Sequence, residues 1–315
     1  MTLPPGLSRY GESKADHSLY IKKFKHEFTA LFVYVDDVVL AGFEIAKSPN
    51  GSFLNQRKYA LELFEDAGLL AAKPSAVPFN PTLKLSTDEG NFLEDPSVYR
   101  RLIGRLIYLT NSRLDIAFAV QHVSQYVSKP RAPHYQAAIQ ILRYLKFVPA
   151  KGIFFSSNSK LQLFGFADSD WARCPDTRKS VTGYSVMLGS SLLCWKSKKQ
   201  HTVSRSSTEA EYRALPSITY ELQWLHFLFQ DFLVQFEQPA FMFSDSKYAV
   251  YLAHNPTFHE RSKHIVLDCY VIREYMNSKL IHLLPISTHN QLAVWSSWEF
   301  VPSTAQLEGG LLDDI

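Results

Sequence analysis

The run of elements after residue 160 constrains the fold more than any other feature of the chain. Three β-rich stretches come first: LQLFGFADSD (161–170), VTGYSVML (181–188) and LLCWKS (192–197). A helical repeat follows from about Ser207 to Phe232, then a short strand, AFMFSD (240–245). A helix starting near Ser246, another over Lys263 to Asn277, and a last strand, LIHLLPI (280–286), complete the pattern. Strands joined by tight turns pair antiparallel, whereas strands separated by a helix are free to lie parallel. The order therefore predicts a mixed sheet with helices, an α/β (α+β) domain over residues 158–293, which is a suitable length for one core.

Upstream, LFVYV and VVLAG flank Asp36 and Asp37 and read as a hairpin around an acidic turn. A helix is expected at about Gln56 to Ala67, and two more at 97–111 and 134–147, the first carrying Val98, Leu102, Ile103, Leu106 and Leu109 at helical spacing. Three prolines in KPSAVPFNP (73–81) mark one linker and the polar SSNSK (156–160) a second. The chain divides on this reading into residues 1–79, 80–157 and a part that begins at 158.

Hydrophobic residues at 46% and charged residues at 20% exclude wholesale disorder. Cysteines at 174, 194 and 269 form no C-x-x-C pair, which excludes a cysteine zinc site and fits a reducing compartment. No apolar run approaches the roughly 18 residues of a membrane span, and MTLPPGLSRYGES lacks the pattern of a signal peptide. An intracellular protein with no membrane partner is expected. The net charge of +3 hides segregation: nine Lys/Arg from Arg100 to Lys151 face one acid, Asp115, and seven from Arg173 to Arg205 face Asp176. Basic stretches beside isolated acids suit a nucleic-acid partner, and solvated basic faces explain the charge alone equally well.

Three acids stand where packing would not choose them. Asp168 ends the apolar LFGFA, Asp245 ends FMFS, and Glu211 lies just before the apolar stripe of Ala214, Leu215, Ile218, Leu222 and Leu225, on its inward side. Singly, each reads as a capping or first-turn acid. Together they can converge at one end of the sheet, where carboxylates repel unless a cation neutralises them. Such hard oxygen ligands favour Mg2+ or Mn2+, and two such ions about 3.5–4 Å apart serve phosphodiester hydrolysis. Arg178, Lys179, Lys198 and Lys199 are the candidate phosphate contacts, while Trp171 and Trp195 read as packing residues before base-stacking ones.

An ordered series of motifs resembles the C-terminal part of the Pol polyprotein of copia-type LTR retrotransposons, most like plant copies. The matches are FVYVDDVVLAG (32–42), QRKYALELFEDAG (56–68), YRRLIGRLIYLTNSRLDIAFAV (99–120), ILRYLKFVPAKG (141–152), FGFADSDWARCPDTRKSVTGYSVMLG (164–189), WKSKKQHTVSRSSTEAEYRAL (195–215) and SDSKYAVYLAHNPTFHERSKHI (244–265). The resemblance implies a reverse transcriptase palm remnant with Asp36 and Asp37 as metal ligands, a helical basic connection, and a ribonuclease H-like domain. That domain would use Asp168, Glu211 and Asp245 with Mg2+ or Mn2+ on an RNA–DNA hybrid. Glu211 rather than Glu209 matches the family's E-x-x-A step, and Asp170 reads as a neighbour.

The departures carry their own expectations. The family's palm needs a third aspartate on an earlier strand, and two internal stretches of the palm are missing here, so reverse transcription is not expected. The family places a fourth carboxylate after QLA, where this chain has Val294 and an unrelated tail. Pro216 falls inside the long helix, and Leu114 replaces a proline. These differences leave two further readings open, a nucleic-acid-binding remnant without turnover and an inactive relic.

Overall fold

A computed structural model of the chain describes residues 19–24, 27–32, 43–80, 83, 85–255 and 266–293. Strand β1 (Leu19–Phe24) pairs antiparallel with β2 (Glu27–Phe32), a hairpin that the sequence pattern did not indicate. The turn expected around Asp36 and Asp37 lies outside the described residues, as do Val294 and the tail. A second hairpin, β3 (Glu44–Ser48) with β4 (Gly51–Asn55), leads into α1 (Arg57–Asp66).

Three helices follow: α2 (Pro96–Leu109), α3 (Leu114–Ser124) and α4 (Ala132–Phe147). Asp95 caps α2 by accepting from Ser97 N at 2.8 Å, with Pro96 at the first helical position, where its missing N–H is no loss. Tyr99, Leu102, Ile103, Leu106 and Leu109 form its buried stripe. Helix α3 was not anticipated. Ile116, Ala117, Ala119, Val120 and Val123 are all buried, and even Asp115 is, so the sequence shows no polar face to mark a period. Ala60, Leu63 and Phe64 of α1 share one core with α2, α3 and α4, across the linker at 73–81.

Strand β5 (Ile153–Ser156) then returns to pair antiparallel with β4, so one three-stranded sheet joins segments on either side of the helices. The remaining strands are β6 (Leu163–Asp170), β7 (Val181–Leu188), β8 (Ser191–Lys199), β9 (Ala240–Ser244) and β10 (Ile281–Pro285). They form a five-stranded sheet of order β10-β9-β6-β7-β8. β6, β7 and β8 pair antiparallel, while β9 and β10 lie parallel to β6 and to each other. This is the mixed α/β architecture expected from the order of elements, and the ribonuclease H-like fold that the resemblance implies, with three hairpin-linked strands and two added through helices. Helices α5 (Ser207–Asp231), α6 (Lys247–His254) and α7 (Val266–Asn277) pack their apolar stripes on one face. Ile153, Phe155 and Leu114 pack on the other, against Phe164, Phe166, Met187 and Phe243.

Helix α5 runs unbroken through Pro216, which is buried and donates no hydrogen bond to the carbonyl of Tyr212. Proline in a helix interior costs about 3 kcal/mol relative to alanine. Pro216→Ala is therefore expected to stabilise the chain by roughly 1–3 kcal/mol, less whatever ring packing is lost. Urea unfolding of the two chains measures this; an unchanged or lowered midpoint would show that the ring's packing outweighs the backbone penalty.

Candidate active site

Asp168 and Asp245 are carried by adjacent parallel strands: Asp168 sits near the end of β6, and Asp245 directly follows β9. Glu211 comes down on them from the start of α5. Gly165 permits the approach, because a Cβ there would lie 2.7 Å from Ile218 Cδ1 and 3.1 Å from Leu222 Cδ1. The result is a cluster in which one carboxylate oxygen from each of Asp168, Glu211 and Asp245 lies within 4.8 Å of the others, all three residues being half-buried.

The electrostatics of this cluster are unfavourable without a counter-charge. Burial first, then the neighbouring Asp168 and Asp245, pushes the Glu211 carboxyl far above its ordinary value. Burial and the charge of Asp245 push Asp168 up as well. Glu211 Oε2 is buried with no hydrogen-bond partner among the described residues. A divalent cation answers both features, since it neutralises the cluster and gives the orphaned oxygen a ligand role. The donor set of carboxylate oxygens fits Mg2+ or Mn2+.

Neighbouring acids have other work. Glu209 accepts from Arg205 N at 2.9 Å and pairs with Arg213 at 2.8 Å, while its own N–H bonds the Ser206 side chain that caps α5. Asp170 Oδ1 takes the backbone N–H of Val181, tying β6 to β7. Asp268 is half-buried on α7, near the charge of Arg213, and is not one of the three clustered carboxylates.

Two supporting residues were not singled out from the sequence. Gln200 donates through Nε2 to Ser169 Oγ (3.1 Å), Thr182 Oγ1 (3.0 Å) and Ala210 O (2.9 Å), and its Oε1 accepts from Ser204 Oγ (2.9 Å). It thus fixes the first turn of α5 to β6 and β7 beside the carboxylates. Thr288, in a 3-10 turn after β10, donates to Asp245 Oδ2 at 3.0 Å. Gln200 lies inside a motif already quoted, but its role depends on four partners that only the fold brings together.

The expected phosphate contacts separate. Arg178 is exposed in the β6–β7 connection at φ +53°, with Lys179 beside it, and Lys198 is exposed on β8. Lys199 points the other way, its Nζ 2.9 Å from Gln125 Oε1 and 2.8 Å from Cys174 Sγ, holding that connection to the helical region. Trp171, expected as a packing residue, is 52% exposed, with Nε1 donating to Ser204 O.

No protein-family model matches the chain. It is 36% identical over 311 residues to the retrovirus-related Pol polyprotein from transposon RE2 of Arabidopsis thaliana, covering 89% of this chain and 21% of that protein. It is 42% identical over 183 residues to an uncharacterized mitochondrial protein of the same plant, covering 58% of this chain and 76% of the other. The chain belongs to the retrovirus-related Pol polyproteins of plant transposons. It spans about a fifth of the length of the transposon Pol polyproteins it matches. Among solved structures, this Pol fragment overlaps the N-terminal ribonuclease H domain of a Mycobacterium tuberculosis protein at 17% identity and a TM-score of 0.31, over 42% of this chain and 86% of that one. That overlap is too loose to carry weight, and the fold rests on the strand order above. Among the described residues no helix is long and apolar enough to cross a membrane.

Proposed function

We propose that the ribonuclease H-like part of this Pol fragment hydrolyses the RNA strand of RNA–DNA hybrids, with Asp168, Glu211 and Asp245 as its metal-holding catalytic residues. The observation that carries the reading is the convergence of three carboxylates from three separate elements within 4.8 Å, one of them with a buried, unpartnered oxygen. Bound Mg2+ or Mn2+ would supply charge neutralisation and a more acidic water for attack on phosphorus. The protein's own contribution is placement. The strand ends hold Asp168 and Asp245, Thr288 orients Asp245, and Gln200 fixes the turn that delivers Glu211. Arg178, Lys179 and Lys198 are placed to hold substrate phosphates, at positions that contact charge rather than base identity.

Membership in the Pol family supports a nucleic-acid substrate. The division by motif is retained: a palm remnant (1–79), a helical connection (80–157), the ribonuclease H-like domain (158–293) and a tail (294–315). Asp36 and Asp37 remain a candidate palm pair, and polymerase activity is not part of this reading.

The test is cleavage of an end-labelled RNA–DNA hybrid by the full chain, with and without Mg2+, beside Asp168→Asn. Metal-dependent cutting is expected, with a loss of at least about a hundredfold in the variant. Binding without cutting would reduce the protein to a nucleic-acid-binding remnant.

A further inference from the structure

A groove of about 260 Å³ lies between α5 and the edge strand β8, lined by Thr182, Tyr184, Lys196, Lys198, Ser217, Tyr220 and Glu221. Lys196 stands opposite Tyr184 and Lys198 opposite Thr182, so both ammonium-bearing chains rise from one face of β8, about 6.5 Å apart along the strand. Both lysines are exposed, and neither makes an ion pair or hydrogen bond among the described residues. The one acid in the groove is occupied: Glu221 Oε2 accepts from Tyr184 OH at 2.7 Å, and its Oε1 lies 3.6 Å from Cys194 Sγ. Ser217 and Tyr220 add hydroxyls from the helix side. The groove therefore presents two lysine charges against one carboxylate, with several hydroxyl groups, and the lysines are spaced close to the step between successive phosphates of an extended nucleic-acid strand.

Its position connects it to the carboxylates. Thr182, which lines the groove, pairs with Ser169 on one side and Lys198 on the other, so the groove begins one strand spacing, about 5 Å, from the residue after Asp168, and Lys198 stands two spacings, about 10 Å, away.

We infer that the groove between α5 and β8 holds two consecutive backbone phosphates of the bound nucleic acid, with Lys196 and Lys198 as the charged contacts and Ser217 and Tyr220 as hydroxyl donors. The inference rests on the chain being a nucleic-acid enzyme, but not on its cutting anything, and so its test is a binding measurement. Fluorescence anisotropy of a labelled RNA–DNA hybrid is followed with the full chain in EDTA over a series of salt concentrations. Each neutralised phosphate contributes roughly 0.9 to the slope of log K against log salt. Lys196→Gln with Lys198→Gln should lower that slope by about 1.8, while Lys160→Gln, at the far end of β6, leaves it unchanged. Ser217→Asp, which places a negative charge in the groove from the helix side, should weaken binding with both lysines intact.

An unchanged slope in the folded double variant would overturn the assignment, as would failure of the parent chain to bind hybrid at any salt. Inorganic phosphate supplies a second arm. Lysine-dependent protection against thermal unfolding by phosphate, together with an unaltered hybrid slope, would assign the groove to a small anion instead and overturn the nucleic-acid reading. Absence of cleavage in the separate activity assay leaves this measurement unaffected.

Discussion

Replacing Arg113 with alanine is expected to destabilise the chain by about 3–5 kcal/mol, because it strands a buried carboxylate. Arg113 and Asp115 have side chains only 2% and 1% exposed. The guanidinium forms a two-pronged contact, Nε to Asp115 Oδ1 at 2.9 Å and Nη2 to Oδ2 at 2.8 Å, and its Nη1 donates to Val148 O at 2.9 Å. Tyr144 OH donates to the same carboxylate at 2.7 Å, and Lys151 Nζ lies 3.6 Å away. Burial opposes the charge on Asp115, but the hydrogen bonds and charge of Arg113 overcome it and hold that carboxyl below its ordinary value. The network fastens the start of α3 to the end of α4. Removing one partner leaves the other charge without compensation, whereas replacing both with apolar residues of similar volume is expected to recover much of the loss. Guanidinium unfolding of Arg113→Ala and of Arg113→Met with Asp115→Leu separates the two effects. A single variant within about 1 kcal/mol of the parent would mean that Asp115 finds water or another donor.

The second large effect is a loss of stability in mild acid through His122. Its ring stacks on Phe118 at 6.1 Å and meets Phe79 edge-on at 5.0 Å. Burial, and then the positive charges of Arg173, Lys199 and His134, bring its pKa down from 6.5 to about 4. A base with a lowered folded pKa takes up its proton more readily in the unfolded chain. Its contribution is therefore complete above about pH 6.5 and is lost as the pH falls from there toward 4, by up to about 3 kcal/mol. Unfolding free energies at pH 7.5 and 4.5 for the parent and for His122→Gln check this. The difference between the two chains should shrink or reverse at the lower pH, and a constant difference would rule out His122 as the sensitive group.

Sequence was most informative where periodicity or charge had one physical explanation. The three antiparallel runs and the later strand–helix alternation led to a mixed sheet with helices, because short turns and helical crossovers permit few other arrangements, while the order of its strands came only from the structure. Asp168, Glu211 and Asp245 were conspicuous because each put a charge on an otherwise apolar pattern. The stretch from Arg100 to Lys151 was more deceptive. Its charge suited a phosphate surface, yet Arg113 is buried, Arg105 pairs with Asp66, Arg100 donates to Val127 O and Ser128 O, and Lys146 donates to the carbonyls of Leu69, Leu70 and Ala72. A count of charges does not tell which ones a backbone carbonyl or a distant acid has claimed. The same blindness concealed Lys199, whose neighbour Lys198 points to the opposite side of the strand, and helix α3, whose apolar residues surround it on all sides.

Strand β5 has a practical consequence for dissecting this protein. The polar SSNSK stretch invites a cut at residue 157, but Ile153, Phe155 and Leu114 shield the aromatic side of the five-stranded sheet from water. A shortened chain starting after that cut would present Phe164, Phe166 and Phe243 as an adhesive surface, prone to self-association. The nuclease-like half is therefore not a portable module: it travels with the helices that precede it, and a soluble truncation would have to supply a substitute cover.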